Sequence, residues 1–222
     1  MSHDHHDHHD HDHDHDHDHG HHPEPPSDVE ARALALESLL RDKGVISADE
    51  IDRVVEAYEH DIGPMIGARA VARAWVDPAY RQRLLSGAAA AVAELDIGAP
   101  PAGDLVVVEN TPAVHNMVVC TLCSCYPWAV LGLPPGWYKS PAYRSRAVRE
   151  PREVLREFGL ELPESVRVNV WDSSSDLRYM VLPERPAGTE GWGEDDLASL
   201  VTRDSMIGVA RPQAPAARGA AG

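Results

Sequence analysis

The sequence predicts an α+β fold: an N-terminal helical arm followed by a layered α-β-β-α domain that carries a cysteine metal loop. Three observations predict it. As far as Leu95, apolar residues recur at helical spacing. Beyond residue 104, short β-branched runs take over. Gly98, Pro100, Pro101 and Gly103 break the chain between these two regions. The expected layout is a disordered His/Asp-rich tail over 1–27, a helical arm over 28–103, a metal-binding catalytic domain over 104–212 and a flexible tail over 213–222.

Residues 1–22 hold twelve histidines interleaved with aspartate and no apolar side chain that could anchor a core, so the segment is expected to stay disordered without metal. The alternation His11-Asp12-His13-Asp14-His15 is not the plain histidine run of a purification tag, and it reads as a natural metal-scavenging tail. Pro23, Pro25 and Pro26 close it. An alanine- and leucine-rich helix is predicted over Val29–Lys43, stopped by Gly44. A second helix follows, with Ser47 and Glu50 as a capping box and Ile51, Val54, Val55 and Tyr58 as an apolar stripe. Further helices are predicted over Met65–Val76 and Ala79–Leu95. Leu105–Val108 and Met117–Val119 read as buried strands, with Asn110-Thr111-Pro112 turning between them. A short helix over Pro151–Gly159, strands over Val166–Trp171 and Arg178–Leu182, and a helix over Glu194–Val201 complete the domain.

Composition narrows the function. A chain of 222 residues with 43% hydrophobic and 25% charged residues builds one substantial core. The net charge is −16, and the seven aspartates of residues 1–22 account for seven of those charges, leaving −9 on residues 23–222. An acidic body of this kind argues against nucleic acid. No apolar run approaches the roughly 20 residues needed to span a bilayer. The N-terminus has neither a basic region nor an apolar signal core, and the expected location is the cytoplasm.

All three cysteines fall within the six residues Cys120-Thr-Leu-Cys123-Ser-Cys125, so they cannot form a disulfide framework across the fold. Clustered cysteines in a reducing compartment point to metal binding or chemistry. The loop follows a predicted strand, a position from which a rigid element can aim it. Thiolates select zinc, copper(I), iron or cobalt over hard cations. A structural zinc site takes four ligands, and the chain offers no second cysteine pair, only His115 nearby. The Cys-Ser-Cys spacing crowds the backbone against any metal held by both sulfurs. Deprotonated amides of Ser124 and Cys125 can then complete a plane with the sulfurs of Cys123 and Cys125, with Cys120 below as axial ligand. One position stays open, as a Lewis-acid catalyst requires.

Val119-Cys-Thr-Leu-Cys-Ser-Cys-Tyr-Pro-Trp128 resembles the metal-binding motif of nitrile hydratase α subunits of the cobalt type. Iron-type relatives usually have Ser and Thr where this chain has Thr121 and Tyr126. The resemblance runs through Val107-Val-Glu-Asn-Thr-Pro112, Leu131-Gly-Leu-Pro-Pro-Gly-Trp-Tyr-Lys139, Val148-Arg-Glu-Pro151, Arg178-Tyr-Met-Val-Leu-Pro183 and Arg185-Pro-Ala-Gly-Thr-Glu-Gly-Trp192. It implies one cobalt(III) per chain, with Cys120 as thiolate, Cys123 as sulfinate and Cys125 as sulfenate, and the amides of Ser124 and Cys125 as the other ligands. Cys125 and Cys123 become the expected catalytic residues, and Trp128 and Tyr126 the expected lining of the substrate pocket. The resemblance also implies a β subunit in an α2β2 assembly, whose arginines neutralise the oxygenated sulfurs, a metal-loading activator, and a small nitrile as substrate. Two departures stand out: Pro100-Pro101-Ala102-Gly103 replaces a Gln-Gly pair of many relatives, and Ser205 stands where several have cysteine.

Other readings compete at single residues. His60 and His115 read as ordinary surface or core histidines rather than ligands. For most of Arg144, Arg146, Arg149, Arg178 and Arg185, solvated or paired charge is the simpler reading. Two rival functions remain at this stage. One is the metal-bearing subunit of a thiocyanate hydrolase, opposed by Trp128, because an arginine there would suit an anionic substrate. The other is a metal-binding or delivery protein built around the histidine tail.

Overall fold

In the computed structural model, which describes residues 28–56, 65–95, 104–123 and 125–213, the helices come first, as their periodicity requires. They are α1 (Asp28–Asp42), α2 (Ala48–Glu56), α3 (Met65–Val76), α4 (Pro78–Ser86) and α5 (Ala88–Ala93). The single helix expected over Ala79–Leu95 is broken at Gly87, whose backbone N–H caps α4 on the Arg83 carbonyl. Asp77 starts α4 by accepting from the amides of Ala79 and Tyr80, with Pro78 at the first helical position. The stripe expected to continue to Tyr58, the histidine tail, the Pro100–Gly103 segment and residues 214–222 lie outside the described residues.

The chain forms two compact units, Met1–Ala48 and Asp49–Gly222. In the first, α1 leaves Leu34, Leu36 and Leu39 exposed. In the second, Ile66, Val71, Tyr80, Leu84 and Val92 share one hydrophobic core with Leu105, Val107, Met180 and Leu197. The boundary expected near residue 103 therefore falls inside a compact unit, because the buried faces of α3, α4 and α5 are covered by strands and helices beyond it.

Four strands follow: β1 (Asp104–Glu109), β2 (Val114–Val119), β3 (Arg167–Asp172) and β4 (Leu177–Leu182). Each pairs in parallel, β1 with β4 and β2 with β3. Alternation along each strand then builds the layers. Leu105 and Val107 of β1, Met117 and Val119 of β2, and Met180 and Leu182 of β4 face the helix-covered core. Val108, Val118 and Val181 form a second cluster, with Trp171 of β3 and Tyr179 of β4 packed ring against ring at 5.1 Å. Strands from both pairs meet in this second cluster, so the expected α+β fold, with helices outside two sheets, is the fold observed.

The remaining helices are α6 (Trp128–Leu131), α7 (Pro141–Arg149), α8 (Pro151–Glu157), α9 (Glu194–Ala198) and α10 (Arg203–Ile207), with a 3-10 turn over Gly136–Lys139. Ser205 completes a capping box with Thr202 at the start of α10, which accounts for a serine there. The segment after β4 is tied to α3: the Trp75 indole donates to the Pro183 carbonyl at 2.8 Å, and Arg185 reaches the Trp75 carbonyl at 3.3 Å. No helix among the described residues is long and apolar enough to cross a membrane.

Candidate metal centre

Strand β2 ends at Val119 and delivers Cys120 directly into the loop. Cys120 is fully buried, Cys125 half-buried and Cys123 exposed, and their three sulfurs lie within 4.8 Å of one another. The Cys120 and Cys123 sulfurs are 3.3 Å apart, those of Cys123 and Cys125 2.9 Å. The Cys123 amide also donates to the Cys120 sulfur at 3.3 Å. Among the described residues this is the one cluster of three or more metal-ligating side chains that converges so closely. Ser124, expected to contribute its backbone amide, lies outside the described residues.

The donor set fits a soft transition metal. None of the three cysteines is joined in a disulfide. The hydrogen bond with Cys123, then burial and the other nearby sulfurs, push the Cys125 thiol up to about 12. Without a cation Cys125 therefore holds its proton, whereas a bound metal stabilises its thiolate.

Three side chains from distant elements fix the loop. Asp172, the last residue of β3, accepts from the Thr121 amide at 2.9 Å and from its hydroxyl at 2.6 Å. Arg144 of α7 donates to the carbonyls of Thr121 at 3.0 Å and Leu122 at 3.1 Å. Tyr138 donates to the Cys125 carbonyl at 3.1 Å. Behind them Tyr143 holds the Val118 carbonyl at 2.7 Å. Burial pushes the phenols of Tyr126, Tyr138 and Tyr143 above the usual tyrosine range, so they remain donors.

The residues expected to line a pocket part company here. Trp128 opens α6 and is 43% exposed. Tyr126 is buried, with its hydroxyl toward the Leu131 carbonyl at 3.4 Å and its ring edge-on to Tyr138 at 5.1 Å. His115 is a core residue, as expected of it. Its Nε2 donates to the Gly208 carbonyl at 2.7 Å, which leaves Nδ1 to accept from the Asn110 side-chain amide at 3.3 Å. Both ring nitrogens are occupied. His60 lies outside the described residues.

Among the arginines, Arg146 pairs with Glu150 and Glu157, and Arg149 caps the Ser145 carbonyl. Arg144 departs from that pattern by grasping the metal loop. Neither it nor Asp172 stands out in the sequence, because their roles depend on strand pairing and on a helix that composition does not single out. The signal for α7 was nevertheless present: Ser140 caps it by accepting from the Tyr143 amide, and Pro141 stands at its first position.

The family model "Nitrile hydratase, alpha chain" matches residues 27–210. The low-molecular-weight cobalt-containing nitrile hydratase subunit alpha of Rhodococcus rhodochrous is 58% identical over 188 residues, covering 85% of this chain and 91% of that relative. The thiocyanate hydrolase subunit gamma of Thiobacillus thioparus is 48% identical over 198 residues, covering 84% of this chain and 81% of that one. Among solved structures, a double mutant of the Fe-type nitrile hydratase from Comamonas testosteroni Ni1 superposes with a TM-score of 0.79 at 44% identity, covering 87% of this chain and 97% of that chain. The matched region encloses every helix and strand from α1 to α10 with the cysteine loop among them, and the chain belongs to the nitrile hydratase α-chain family.

Proposed function

We propose that this chain is the metal-bearing subunit of a nitrile hydratase and hydrates nitriles to amides at one low-spin cobalt(III) centre. The observation that carries the reading is the convergence of three cysteine sulfurs within 4.8 Å at the end of β2, in a chain 58% identical to a cobalt-containing relative. The ligands would be the sulfurs of Cys120, Cys123 and Cys125 and the amides of Ser124 and Cys125. Bound there, the metal supplies Lewis acidity to a reaction between water and a neutral triple bond.

The residues divide the remaining work by exposure. Cys120 is sealed in the core and serves as a ligand only. Cys123 and Cys125 are the proposed catalytic residues, as sulfinate and sulfenate, because Cys123 is exposed and Cys125 only half-buried. The sulfenate oxygen of Cys125 is a candidate nucleophile toward the nitrile carbon. Trp128 offers an exposed, uncharged face suited to a neutral substrate, and Tyr126, buried with its hydroxyl toward the Leu131 carbonyl, is the second proposed pocket residue. The chain would act with a β subunit in an α2β2 assembly in the cytoplasm, loaded by an activator. The exposed Leu34, Leu36 and Leu39 on α1 and Leu122 at the loop tip support a partner, since apolar groups at these positions call for cover.

The test is co-expression with the β subunit in cobalt-supplemented medium. Cobalt per chain, oxygen adducts on Cys123 and Cys125 by intact and peptide mass, and amide formation from a neutral nitrile are then measured together. Stoichiometric cobalt with adducts and amide is the expected result. Stoichiometric zinc without adducts, or thiocyanate turnover without nitrile turnover, overturns the reading.

A further inference from the structure

Among the described residues Arg144 is a cation without a carboxylate. Among the described residues it forms no ion pair, in contrast to Arg146 two positions on, which holds Glu150 and Glu157. Its Nε is buried and has no hydrogen-bond partner among the described residues, while Nη2 bonds two successive carbonyls, Thr121 and Leu122, of the metal loop. Partly burying a guanidinium without an anion is costly, and native structures retain such groups where an opposite charge meets them. The anion at hand is the loop itself once loaded: three sulfur ligands and two deprotonated amides carry more negative charge than a trivalent metal offsets.

We propose that Arg144 is the positioning residue and counter-charge of the metal centre within this chain, acting from α7 behind the loop. The inference rests on the proposed function for the identity of the metal, but its geometry does not. Nη2 grips the Thr121 and Leu122 carbonyls together and holds the turn that returns Cys123 to Cys120, where sulfur and amide meet the Cys120 sulfur at 3.3 Å. Backbone amides can serve as ligands only if that turn keeps one conformation as they lose their protons. Arg144 touches neither substrate nor sulfur in this role and is not a catalytic residue.

The test compares wild type, Arg144→Lys and Arg144→Met, each co-expressed with the β subunit and titrated metal-free with cobalt(II) chloride. The readouts are cobalt per chain, the sulfur-to-cobalt charge-transfer absorption and oxygen adducts on Cys123 and Cys125, with a thermal melt of each metal-free protein. Loss of a side chain supporting metal ligands typically weakens metal affinity about 10–100-fold, and Arg144→Met is expected in that range with a shifted absorption and fewer adducts. Arg144→Lys keeps the charge without the planar guanidinium, and intermediate loading is expected of it. Should the Met variant fail to fold, the Lys variant decides by the same readouts. Either variant loading and oxidising as wild type does overturns the proposal. Wild type that takes up no cobalt overturns the proposed function instead, so the two failures are told apart.

Discussion

Replacing His115 by alanine separates a core histidine from a metal ligand. The ring is 1% exposed and satisfies two buried groups, the Gly208 carbonyl and the Asn110 side-chain amide. Leaving each without a partner costs about 1–3 kcal/mol, so the pair amounts to roughly 2–6 kcal/mol before any cavity is counted. For a domain of this size each kcal/mol moves Tm by about 2–4 °C, and a fall on the order of 5–20 °C is expected. Cobalt per folded chain should stay at the wild-type value, measured by elemental analysis on the monodisperse fraction beside a melt followed by circular dichroism. An unchanged melt with cobalt lost would refute the argument and make His115 a ligand. The same residue predicts a pH dependence. Burial, opposed by the bond to Gly208 and reinforced by Arg211, holds the imidazole below its ordinary 6.5. The unfolded chain thus protonates there first as pH falls, so the stabilisation is complete above about 6.5 and declines as pH drops from there toward the folded value. Wild type should lose stability over that window more steeply than His115→Ala.

Cys123→Ser and Cys125→Ser should each abolish nitrile hydration and lower cobalt occupancy, because a hydroxyl is a hard donor in a soft site; Cys125→Ser with full cobalt and near-normal turnover would remove the sulfenate from the mechanism. Gly208→Ala places a Cβ 2.0 Å from the Asn116 backbone oxygen at φ +92°, so a melt should show severe destabilisation, whereas Gly44→Ala, at φ +66° with no atom within 4 Å, should cost only about 1 kcal/mol. Deleting residues 1–22 should leave turnover per bound cobalt unchanged, while a delivery protein would lose its function with its twelve histidines.

What the sequence made legible followed periodicity and spacing. The strands over residues 104–119 and 167–182 are seen in their β-branched runs, and α3 begins and ends where expected, because each is a single amphipathic or buried element with clear punctuation. The six-residue cysteine loop was legible because three soft donors at such spacing have few alternative uses. The break at Gly87 was not, since a glycine within an alanine-rich run is compatible with one helix or two. Nor was the inclusion of α3, α4 and α5 in the main core, which depends on what covers their apolar faces. Parallel pairing escaped as well: β1 meets β4 only after the whole domain has intervened, and no local signal records such a partner.

That pairing explains why the cysteine loop sits where it does. In the β2–β3 register Val119 lies opposite Asp172, so the two parallel strands deliver their C-terminal ends to one edge, where ligand sites of parallel sheets commonly gather. The Asp172 carboxylate then reaches the first loop residue after Cys120, and the Ser173 amide closes on the Val119 carbonyl at 2.7 Å. A slip of one residue would turn Met117 and Val119 away from the helix-covered core and separate Asp172 from Thr121, so packing fixes the register that builds the site. The anchors on the loop come from 51, 23 and 13 residues away in sequence, on β3, α7 and the 3-10 turn. Three thiols on six consecutive residues can chelate a metal in an unfolded chain in several ways, but only the folded domain holds the Thr121, Leu122 and Cys125 backbone in one arrangement. Metal added after folding should therefore give a single absorbing species, and metal added to denatured chain before refolding a mixture; a single identical species by both routes would mean that the loop, rather than the domain, dictates the geometry.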